Sequence, residues 1–402
     1  MGRRFPAAVH IGVLLALLVV PVRGGTPDSS SAAVGPLLAM VTDSSVRVSI
    51  LSLQSFGSRY SYDANRVEVA RWMTDRLRGY GLTDVRPDSF LQSGLWQTNI
   101  VATIPGTLSP EREIIIGAHT DSYSSAGGLA PGADDNASGV AAMIEIARVL
   151  MAADYRPAAT LRFIGFAAEE IGLRGSRSYA FRARASGRQI VAMLNFDMIA
   201  HHNRTQALNQ FNLVWYPGAE WLAQLDSAMA RTYTSLTPVL TTSSRTGSDS
   251  YAFFEQGYPA VFHYERGQNL GYHSPQDILD SLDIPYATGI LRSGLATLLT
   301  VDARAVGTTP APRLPLSFTL LPNYPNPFNA GTRIVFEIPA PAIVRVEVFN
   351  LLGQRVALLA DGFHPPGRHE RTWNPSDLPT GAYFVRMGWS EGTATRRILL
   401  LQ

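Results

Sequence analysis

The sequence predicts an α/β domain with a mixed, mostly parallel sheet and helices on both faces, followed by a small all-β sandwich. Between residues 67 and 306, apolar runs alternate with segments of helical periodicity, which is typical of a parallel sheet covered by helices. After three prolines in residues 307–315 the pattern becomes short alternating runs separated by glycine turns, which indicates strands. The 402 residues, of which 46% are hydrophobic and 16% charged, are enough for two packed cores.

The predicted elements follow one another in a regular order. The first helix repeats Val67, Ala70, Met73, Leu77 and Tyr80 at helical spacing. Predicted strands are the apolar runs Ile114–Ala118, Leu161–Ala167, Val191–Phe196, Leu213–Tyr216 and Ala260–Tyr264. Predicted helices are Ser138–Leu150, with Asn136 or Ser138 as N-cap, Leu173–Arg184, Trp221–Tyr233 and Pro285–Val306. In the C-terminal part, Val344, Val346 and Val348 alternate with Arg345 and Glu347, as on a half-buried strand.

The N-terminus has the three parts of a secretory signal. Two arginines precede an apolar run, and small residues follow it near residue 25. The alternative is an uncleaved membrane anchor. We therefore predict a signal peptide at residues 1–25, an α/β domain at 36–306, a proline-rich linker at 307–317 and a β-sandwich at 318–402.

Composition excludes several kinds of chemistry. The net charge of +2 gives no case for a polyanionic partner, so we expect no binding to nucleic acid. All 34 basic residues are arginines, which excludes a lysine nucleophile or Schiff base. With no cysteine, an exported chain has no disulfides, and a metal site must use histidines and carboxylates. Zinc is the metal that such a ligand set favours.

Histidines and carboxylates follow the predicted strands, at the edge where α/β sheets bind ligands. Each has an ordinary explanation when taken alone: a hydrogen-bonded pair can cap a strand, and an aspartate can favour a helix N-terminus. Adjacent carboxylates without a basic neighbour, however, need a cation. A shared metal site explains all of them together. The residues are His119 with Asp121, the pair Asp134 and Asp135, the pair Glu169 and Glu170, Asp197, and His273.

Five segments, GAHTDS, PGADDNASG, AAEEIGLRGS, NFDMI and YHSPQD, resemble in order and spacing the M28 family of co-catalytic zinc aminopeptidases. The resemblance covers roughly residues 36–305 and implies a zinc-peptidase-like fold with two zinc ions. It implies that His119 and Asp197 bind one ion, that Glu170 and His273 bind the other, and that Asp135, which precedes the asparagine of DNASG, bridges them. Asp121 is then expected to orient His119, and Glu169 to act as general base on a metal-bridged water.

Peptide hydrolysis places negative charge on the carbonyl oxygen of the scissile bond. The sequence marks less clearly which residue donates a hydrogen bond to this oxyanion. Some family members use a tyrosine directly before the last histidine ligand, and Tyr272 has that position. Others place the tyrosine before a Ser-Asp pair, where this chain has Arg245 in SRTGSDS. Tyr272 is therefore the candidate donor, with a role as a core aromatic residue as the alternative. Arg245 is a candidate for holding a substrate carbonyl.

The C-terminal segments LPNYPNPFN, VEVFNLLGQRV and PTGAYFVRM resemble the sorting domain that the type IX secretion system of some Gram-negative bacteria recognises. The resemblance implies an immunoglobulin-like sandwich, an outer-membrane secretion machinery as partner, and a secreted or cell-surface location. The alternative is an accessory module that binds a surface or a glycan.

The two resemblances together lead us to expect an exported zinc aminopeptidase that hydrolyses N-terminal residues from peptides. The alternatives within the enzymes are a carboxypeptidase or a one-zinc glutaminyl cyclase. A non-catalytic surface binding protein would be expected to have lost Glu169 or a ligand, and this sequence retains them all. His201 and His202 are not expected to be ligands, and His263, within an apolar strand, is expected to be a core residue.

Overall fold

The computed structural model describes residues 31–201, 209–243, 247–267, 269–305, 315, 317–339, 342–364, 366–390 and 392–401. The predicted signal peptide, most of the predicted linker, His202 and Arg245 lie outside these residues. Within the described part of the chain, no helix has the length and apolar character needed to span a membrane.

The described part of the first domain begins with three helices and three strands, after which helices and strands alternate as predicted except at one pair of consecutive strands. Its helices are α1 Ser31–Ala39, α2 Asp43–Gln54, α3 Arg66–Gly79, α4 Gly139–Ala152, α5 Arg174–Ala185, α6 Glu220–Tyr233, α7 Ser250–Glu255 and α8 Ile284–Arg304. Its strands are β1 Asp84–Gln92, β2 Leu95–Ile104, β3 Ser109–His119, β4 Ala159–Phe166, β5 Gln189–Phe196, β6 Gln210–Trp215, β7 Thr237–Thr242 and β8 Ala260–Glu265.

These strands form one eight-stranded sheet in the order β1-β2-β4-β3-β5-β8-β6-β7. The central pairs β4-β3, β3-β5 and β5-β8 are parallel, as is the edge pair β6-β7. The pairs β1-β2, β2-β4 and β6-β8 are antiparallel. The prediction of a mixed, mostly parallel sheet is confirmed.

Side chains of the central strands point alternately into two cores, so both faces of the sheet are covered. On β3, Ile114 and Ile116 pack into the larger core with α1, α2, α3, α4, α6 and α8. Ile115 points to the opposite face, where α5 and α7 pack. This double burial explains why the central strands read as continuous apolar runs in the sequence.

The helix boundaries follow local capping. Asn136 caps α4, because its Oδ1 accepts a hydrogen bond from the Gly139 N–H at 2.9 Å, whereas the Ser138 hydroxyl donates to the Asp134 carbonyl. Asp283 caps α8 by accepting from the Tyr286 N–H, and a proline occupies the first turn of that helix. At the N-terminus, α1 begins five residues before the expected domain start at residue 36 and packs Leu37 and Leu38 into the core.

The C-terminal region contains two antiparallel sheets, as expected for an immunoglobulin-like sandwich. Its strands are β9 Thr319–Leu320, β10 Thr332–Ile338, β11 Ala342–Phe349, β12 Arg355–His364, β13 Gly367–Trp373, β14 Gly381–Trp389 and β15 Gly392–Leu400. One sheet has the order β13-β10-β9 and the other β12-β11-β14-β15. Alternate residues such as Val344, Val346 and Val348 are buried in one core with Phe336 and Trp373.

Candidate metal centre and active site

The ends of the central strands bring the predicted residues to one edge of the sheet. His119 is the last residue of β3, and Asp197 directly follows β5. Glu169 and Glu170 follow β4, and β3 lies between β4 and β5, so the three strand ends are adjacent. Asp135 comes from the turn before α4, and His273 comes from the loop after β8.

Asp135 lies between two pairs of side chains, each consisting of a histidine and a carboxylate. Its Oδ1 is 3.2 Å from His119 Nε2, and that nitrogen is 3.3 Å from Asp197 Oδ1. Its Oδ2 is 3.2 Å from His273 Nε2, which is 3.0 Å from Glu170 Oε2. The structure therefore brings all five predicted ligands together, with Asp135 in the middle.

The orientation of these atoms fits metal ions better than hydrogen bonds. The Nδ1 of His119 donates to the Asp121 carbonyl oxygen at 3.1 Å, so the lone pair of the neutral ring is on Nε2 and faces two carboxylates. Among the described residues, His273 Nε2 and Glu170 Oε1 are buried without a hydrogen-bond partner of acceptable geometry. Ligand atoms of His119, Asp135 and Glu170 lie within 4.8 Å of one another. Zinc is bound by such nitrogen and oxygen donors.

Burial and the neighbouring charges together shift the pKa values of these side chains. Burial, followed by the charge of Asp135, raises the pKa of Glu170 to about 7. Burial opposes protonation of His273, but the neighbouring carboxylates of Asp135 and Glu170 raise its pKa to about 9. Burial also raises the pKa of Glu169 well above its ordinary value, an effect that His119 opposes and Asp249 reinforces. Such a cluster needs protons or metal cations to balance its charge.

Asp121 has a different contact from the one expected. Its Oδ1 is 3.6 Å from His119 Nδ1, and it is the main-chain carbonyl of Asp121 that accepts from that ring. The carboxylate instead accepts the N–H groups of Glu169 at 3.1 Å and Glu170 at 3.2 Å, and the Ser61 hydroxyl at 2.7 Å. Asp121 thus positions both the histidine and the glutamate pair.

Asp277 connects the two loops that bring in Asp135 and His273. Its Oδ1 accepts the Asp134 N–H and its Oδ2 accepts the Asp135 N–H, both at 2.9 Å. Asn269 adds a bond of 2.9 Å from its Nδ2 to Asp134 Oδ2. The sequence interpretation assigned no role to Asp277, although it is the last residue of YHSPQD.

A buried arginine lies behind the centre and was also missed. Arg59 donates to the carbonyl oxygens of Thr120 at 2.9 Å, Pro131 at 2.5 Å and Gly132 at 2.8 Å. Burial lowers its pKa to about 10, against the effect of nearby carboxylates such as Asp277, so the side chain remains a cation at neutral pH. Arg59 therefore joins the segments after β3 and before α4, and its charge partly balances the carboxylates.

Two further residues hold the end of β5. The Ser248 hydroxyl donates to Asp197 Oδ2 at 2.5 Å and accepts from Asn195 Nδ2 at 2.6 Å. Asn136 Nδ2 donates to the Phe196 carbonyl at 2.9 Å. The Ser-Asp pair noted in the sequence therefore contacts a predicted ligand through its serine.

Two other described histidines, His201 and His263, have contacts away from the five predicted ligands. His201 donates its main-chain N–H to Glu265 Oε2. His263 is fully buried in β8, where its Nδ1 donates to the Asn195 carbonyl at 3.0 Å and its Nε2 lies 2.8 Å from Asp226 Oδ2. Its side chain has the contacts of a core residue, as expected.

The centre opens into a pocket of about 380 Å³. Its lining combines the acidic side chains of the centre with Met198, Phe262 and Tyr264. Tyr272 also lines the pocket, is 49% exposed and stacks on His273 with ring centroids 3.8 Å apart. Burial, followed by the charge of Asp135, raises the pKa of Tyr272 above its ordinary value, so its hydroxyl keeps its proton at neutral pH.

Comparison with known proteins agrees with the fold and with both resemblances. Residues 99–293 match the model of peptidase family M28, and residues 323–401 match that of the secretion system C-terminal sorting domain. A probable leucine aminopeptidase of Arthroderma otae is 31% identical over 282 residues, which are 66% of this chain and 74% of that protein.

Solved structures share the fold at lower identity. The Legionella pneumophila LapA aminopeptidase superposes with a TM-score of 0.60 at 22% identity, over 68% of this chain and 75% of that one. The Porphyromonas gingivalis glutaminyl cyclase superposes with a TM-score of 0.54 at 16% identity, over 64% of this chain and 98% of that one. The fold is therefore common to peptidases and a cyclase. The chain matches the family model over residues 99–293, and it covers 74% of a relative to which it is 31% identical. The chain therefore belongs to peptidase family M28.

Proposed function

We propose that this peptidase is an exported, zinc-dependent aminopeptidase that removes apolar N-terminal residues from peptides. The observation that carries the proposal is the position of Asp135, whose two oxygens face separate histidine-carboxylate pairs at the floor of a pocket. A site for one ion would not require both pairs. This arrangement favours hydrolysis over the one-zinc cyclase alternative.

In this proposal His119 and Asp197 would hold one zinc ion, Glu170 and His273 would hold the other, and Asp135 would be a ligand shared by both. Bound zinc supplies Lewis acidity, which lowers the pKa of water and stabilises negative charge on oxygen. The hydrogen bonds that Asp121 accepts from the main-chain N–H groups of Glu169 and Glu170 fix the segment from which both carboxylates extend.

Glu169 acts as the general base. Burial raises its pKa well above that of an ordinary glutamate, which makes it a better proton acceptor at neutral pH. It takes a proton from the attacking water and returns it to the leaving amine. Tyr272, whose hydroxyl keeps its proton, is positioned in the pocket to donate a hydrogen bond to the oxygen that becomes negatively charged.

The side chains of the pocket favour a peptide amino terminus over a carboxyl terminus. Carboxylates and His119 line it, and no arginine is among the described residues that do so. A terminal carboxylate would therefore have no arginine to pair with among these residues, whereas their carboxylates can accept hydrogen bonds from a free ammonium group. Met198, Phe262 and Tyr264 suit an apolar side chain such as leucine, which agrees with the names of the fungal relatives.

Export follows from the two ends of the chain. The predicted signal peptide at residues 1–25 directs the protein out of the cytoplasm. The sorting domain then passes it to an outer-membrane secretion machinery, which places it in the medium or on the surface of a Gram-negative bacterium. The domain limits of 36–306, 307–317 and 318–402 are part of this proposal.

The test is an assay of the full-length chain on leucyl-p-nitroanilide and its N-acetylated form. We expect cleavage of the free substrate only, loss of cleavage with a chelator, and recovery with zinc. Cleavage of the blocked form would contradict the preference for an amino terminus, and failure of zinc to restore activity would contradict the metal assignment. With a peptide that begins with glutamine, mass spectrometry separates loss of a residue from the loss of ammonia that a cyclase would cause.

A further inference from the structure

A row of three tyrosine rings extends from the metal centre across the surface. Tyr123 meets His273 edge to face, with ring centroids 5.0 Å apart. Tyr60 follows at 5.6 Å from Tyr123, and Tyr62 follows at 5.5 Å from Tyr60. We refer to Tyr123, Tyr60 and Tyr62 as the tyrosine row.

The tyrosine row is accessible and has hydrogen-bonding groups to spare. Tyr62 is 40% exposed, and Tyr60 and Tyr123 are half-buried. Among the described residues, none forms a hydrogen bond to the hydroxyl group of these three side chains, whereas buried tyrosines usually have a partner for that group. Contiguous, partly exposed aromatic rings are typical of a binding surface.

The row is also held in place by the main chain. Arg59, the residue before Tyr60, donates its N–H to the Ser122 hydroxyl at 3.0 Å and accepts the Ser122 N–H at 3.3 Å. Two residues beyond Tyr123, the Ser125 N–H donates to the His273 carbonyl at 3.0 Å. The segments that carry Tyr60 and Tyr123 are thus fixed to each other and to a predicted ligand. A surface that is already ordered binds a peptide at a lower entropic cost.

The position of the row identifies which part of a substrate it meets. Tyr272 lines the pocket and stacks on a face of His273. Tyr123 contacts the same histidine ring edge to face, and none of the three tyrosines of the row lines the pocket. In an aminopeptidase the terminal residue fills the pocket, so the rest of the peptide must leave past its rim. Side chains two residues apart in an extended peptide lie on the same side at about 6.6 Å, close to the spacing of the rings.

We propose that the tyrosine row binds the residues that follow the scissile bond and favours aromatic or large apolar side chains at the first and third of these positions. The inference rests on the proposed aminopeptidase function and extends it to the substrate class. Aromatic pairing and hydrogen bonds from the free hydroxyl groups to peptide carbonyls supply the binding energy.

The test compares kcat/KM for leucinamide, Leu-Gly-Gly-Gly-amide and Leu-Phe-Gly-Phe-amide. Leucinamide has no residue to meet the row, so it reports the pocket and the chemistry alone. Tyr60→Ala and Tyr62→Ala are each expected to lower kcat/KM for Leu-Phe-Gly-Phe-amide by about threefold to tenfold, and to leave leucinamide within about twofold. Tyr60→Phe should retain most of the ring contact. Trp221→Ala, at a side chain 42% exposed on α6, is the matched control.

The pattern of losses across these substrates decides whether the tyrosine row binds the residues after the scissile bond. A loss confined to the phenylalanine peptide, with the control unchanged, supports the inference. Equal losses on leucinamide and the peptide, or no loss on either, would overturn it while leaving the proposed function intact, because the wild-type chain would still cleave leucinamide. A wild-type chain inactive on all three substrates would refute the proposed function and this inference with it.

Discussion

Replacing Asp277 with asparagine tests how the two loops that carry the predicted ligands Asp135 and His273 are held together. The carboxylate accepts the N–H groups of Asp134 and Asp135, one on each oxygen, at 2.9 Å. It lies four residues after His273, so it connects the loop of one predicted ligand to the main chain of another. Asp277→Asn keeps one side-chain oxygen, which can still accept one of these two N–H groups. The amide NH₂ group replaces the other oxygen and cannot accept the second N–H.

The expected magnitude depends on the two hydrogen bonds that the Asp277 carboxylate accepts. A hydrogen bond to a charged acceptor contributes about 1.5–3 kcal/mol, and a buried N–H left without an acceptor costs about 1–3 kcal/mol. Burial and the charge of Asp134 raise the pKa of Asp277 to about 7, so removing its charge also relieves a desolvation penalty. We therefore expect a net destabilisation of about 1–3 kcal/mol. Zinc affinity should fall about 10-fold to 100-fold, as for other contacts that orient ligands.

The assay is a zinc titration against a competing chelator, combined with thermal unfolding of the metal-free chain. Asp280→Asn, at an exposed carboxylate three residues further on, is the matched control and should change neither quantity. The reasoning would be refuted by unchanged zinc affinity in Asp277→Asn. A lower unfolding temperature alone would show a structural role without any effect on the predicted ligands.

Three further predictions concern packing, catalysis and pH. Gly139→Ala should lower the free energy of unfolding, measured in urea, by about 1–3 kcal/mol or more, because a Cβ at this position would overlap the carbonyl oxygen of Phe196 at the end of β5. Gly79→Ala is the control, because a Cβ there would have no atom within 4 Å, and it should be neutral or stabilising. Glu169→Gln should reduce turnover by about 10²-fold to 10⁴-fold with unchanged zinc content by metal analysis. In the sandwich, the hydrogen bond from Arg355 lowers the pKa of Glu347. The contribution of this hydrogen bond to stability is therefore complete above the ordinary glutamate pKa of about 4.3. It is lost as the pH falls through the lower pKa that Glu347 has in the folded protein. The stability difference between wild type and Glu347→Gln in urea should shrink over that acidic range, and a constant difference would contradict the assignment.

The central elements were predictable because burial on both faces leaves a strong local signal. The run Ile114–Ala118 lies within β3, and Val191–Phe196 lies within β5. Both strands are in the middle of the sheet, where every side chain meets a core. Their ends are also where the predicted ligands lie, so motif and strand end could be found together.

The edges of the first domain left no comparable signal. Strands β1 and β2 form an antiparallel pair at one edge, and β1 contains Pro87 and several exposed polar residues. At the opposite edge, the last residues of β7 are exposed. Edge strands with solvent on one side contain too few apolar residues to stand out in the sequence. The helices α1 and α2 were likewise absent from the prediction, and the first of them begins before residue 36, where the α/β domain was expected to start.

The contacts that position the ligands could not be predicted, because they join distant parts of the chain. Asp277 and Asp135 are 142 residues apart, and Arg59 and Gly132 are 73 residues apart. Hydrophobic periodicity shows which face of an element is buried but not which polar group it meets. Arg59 and Asp277 lie in segments that resemble the family, and only their pairing in space gives them a role.

The contacts of each carboxylate separate candidate ligands from positioning residues. Asp121 and Asp277 use both oxygens to accept main-chain N–H groups, so their oxygens already have hydrogen-bond donors and are poorer candidates for metal ligands. Asp135, Glu170 and Asp197 each turn an oxygen towards a histidine nitrogen instead. Three such carboxylates and two histidines would give each of two metal ions three protein ligands if one carboxylate contacts both, and Asp135 is the residue whose two oxygens face different histidines. Loss of Asp135 should therefore affect both ions, whereas loss of Asp197 or Glu170 should affect one.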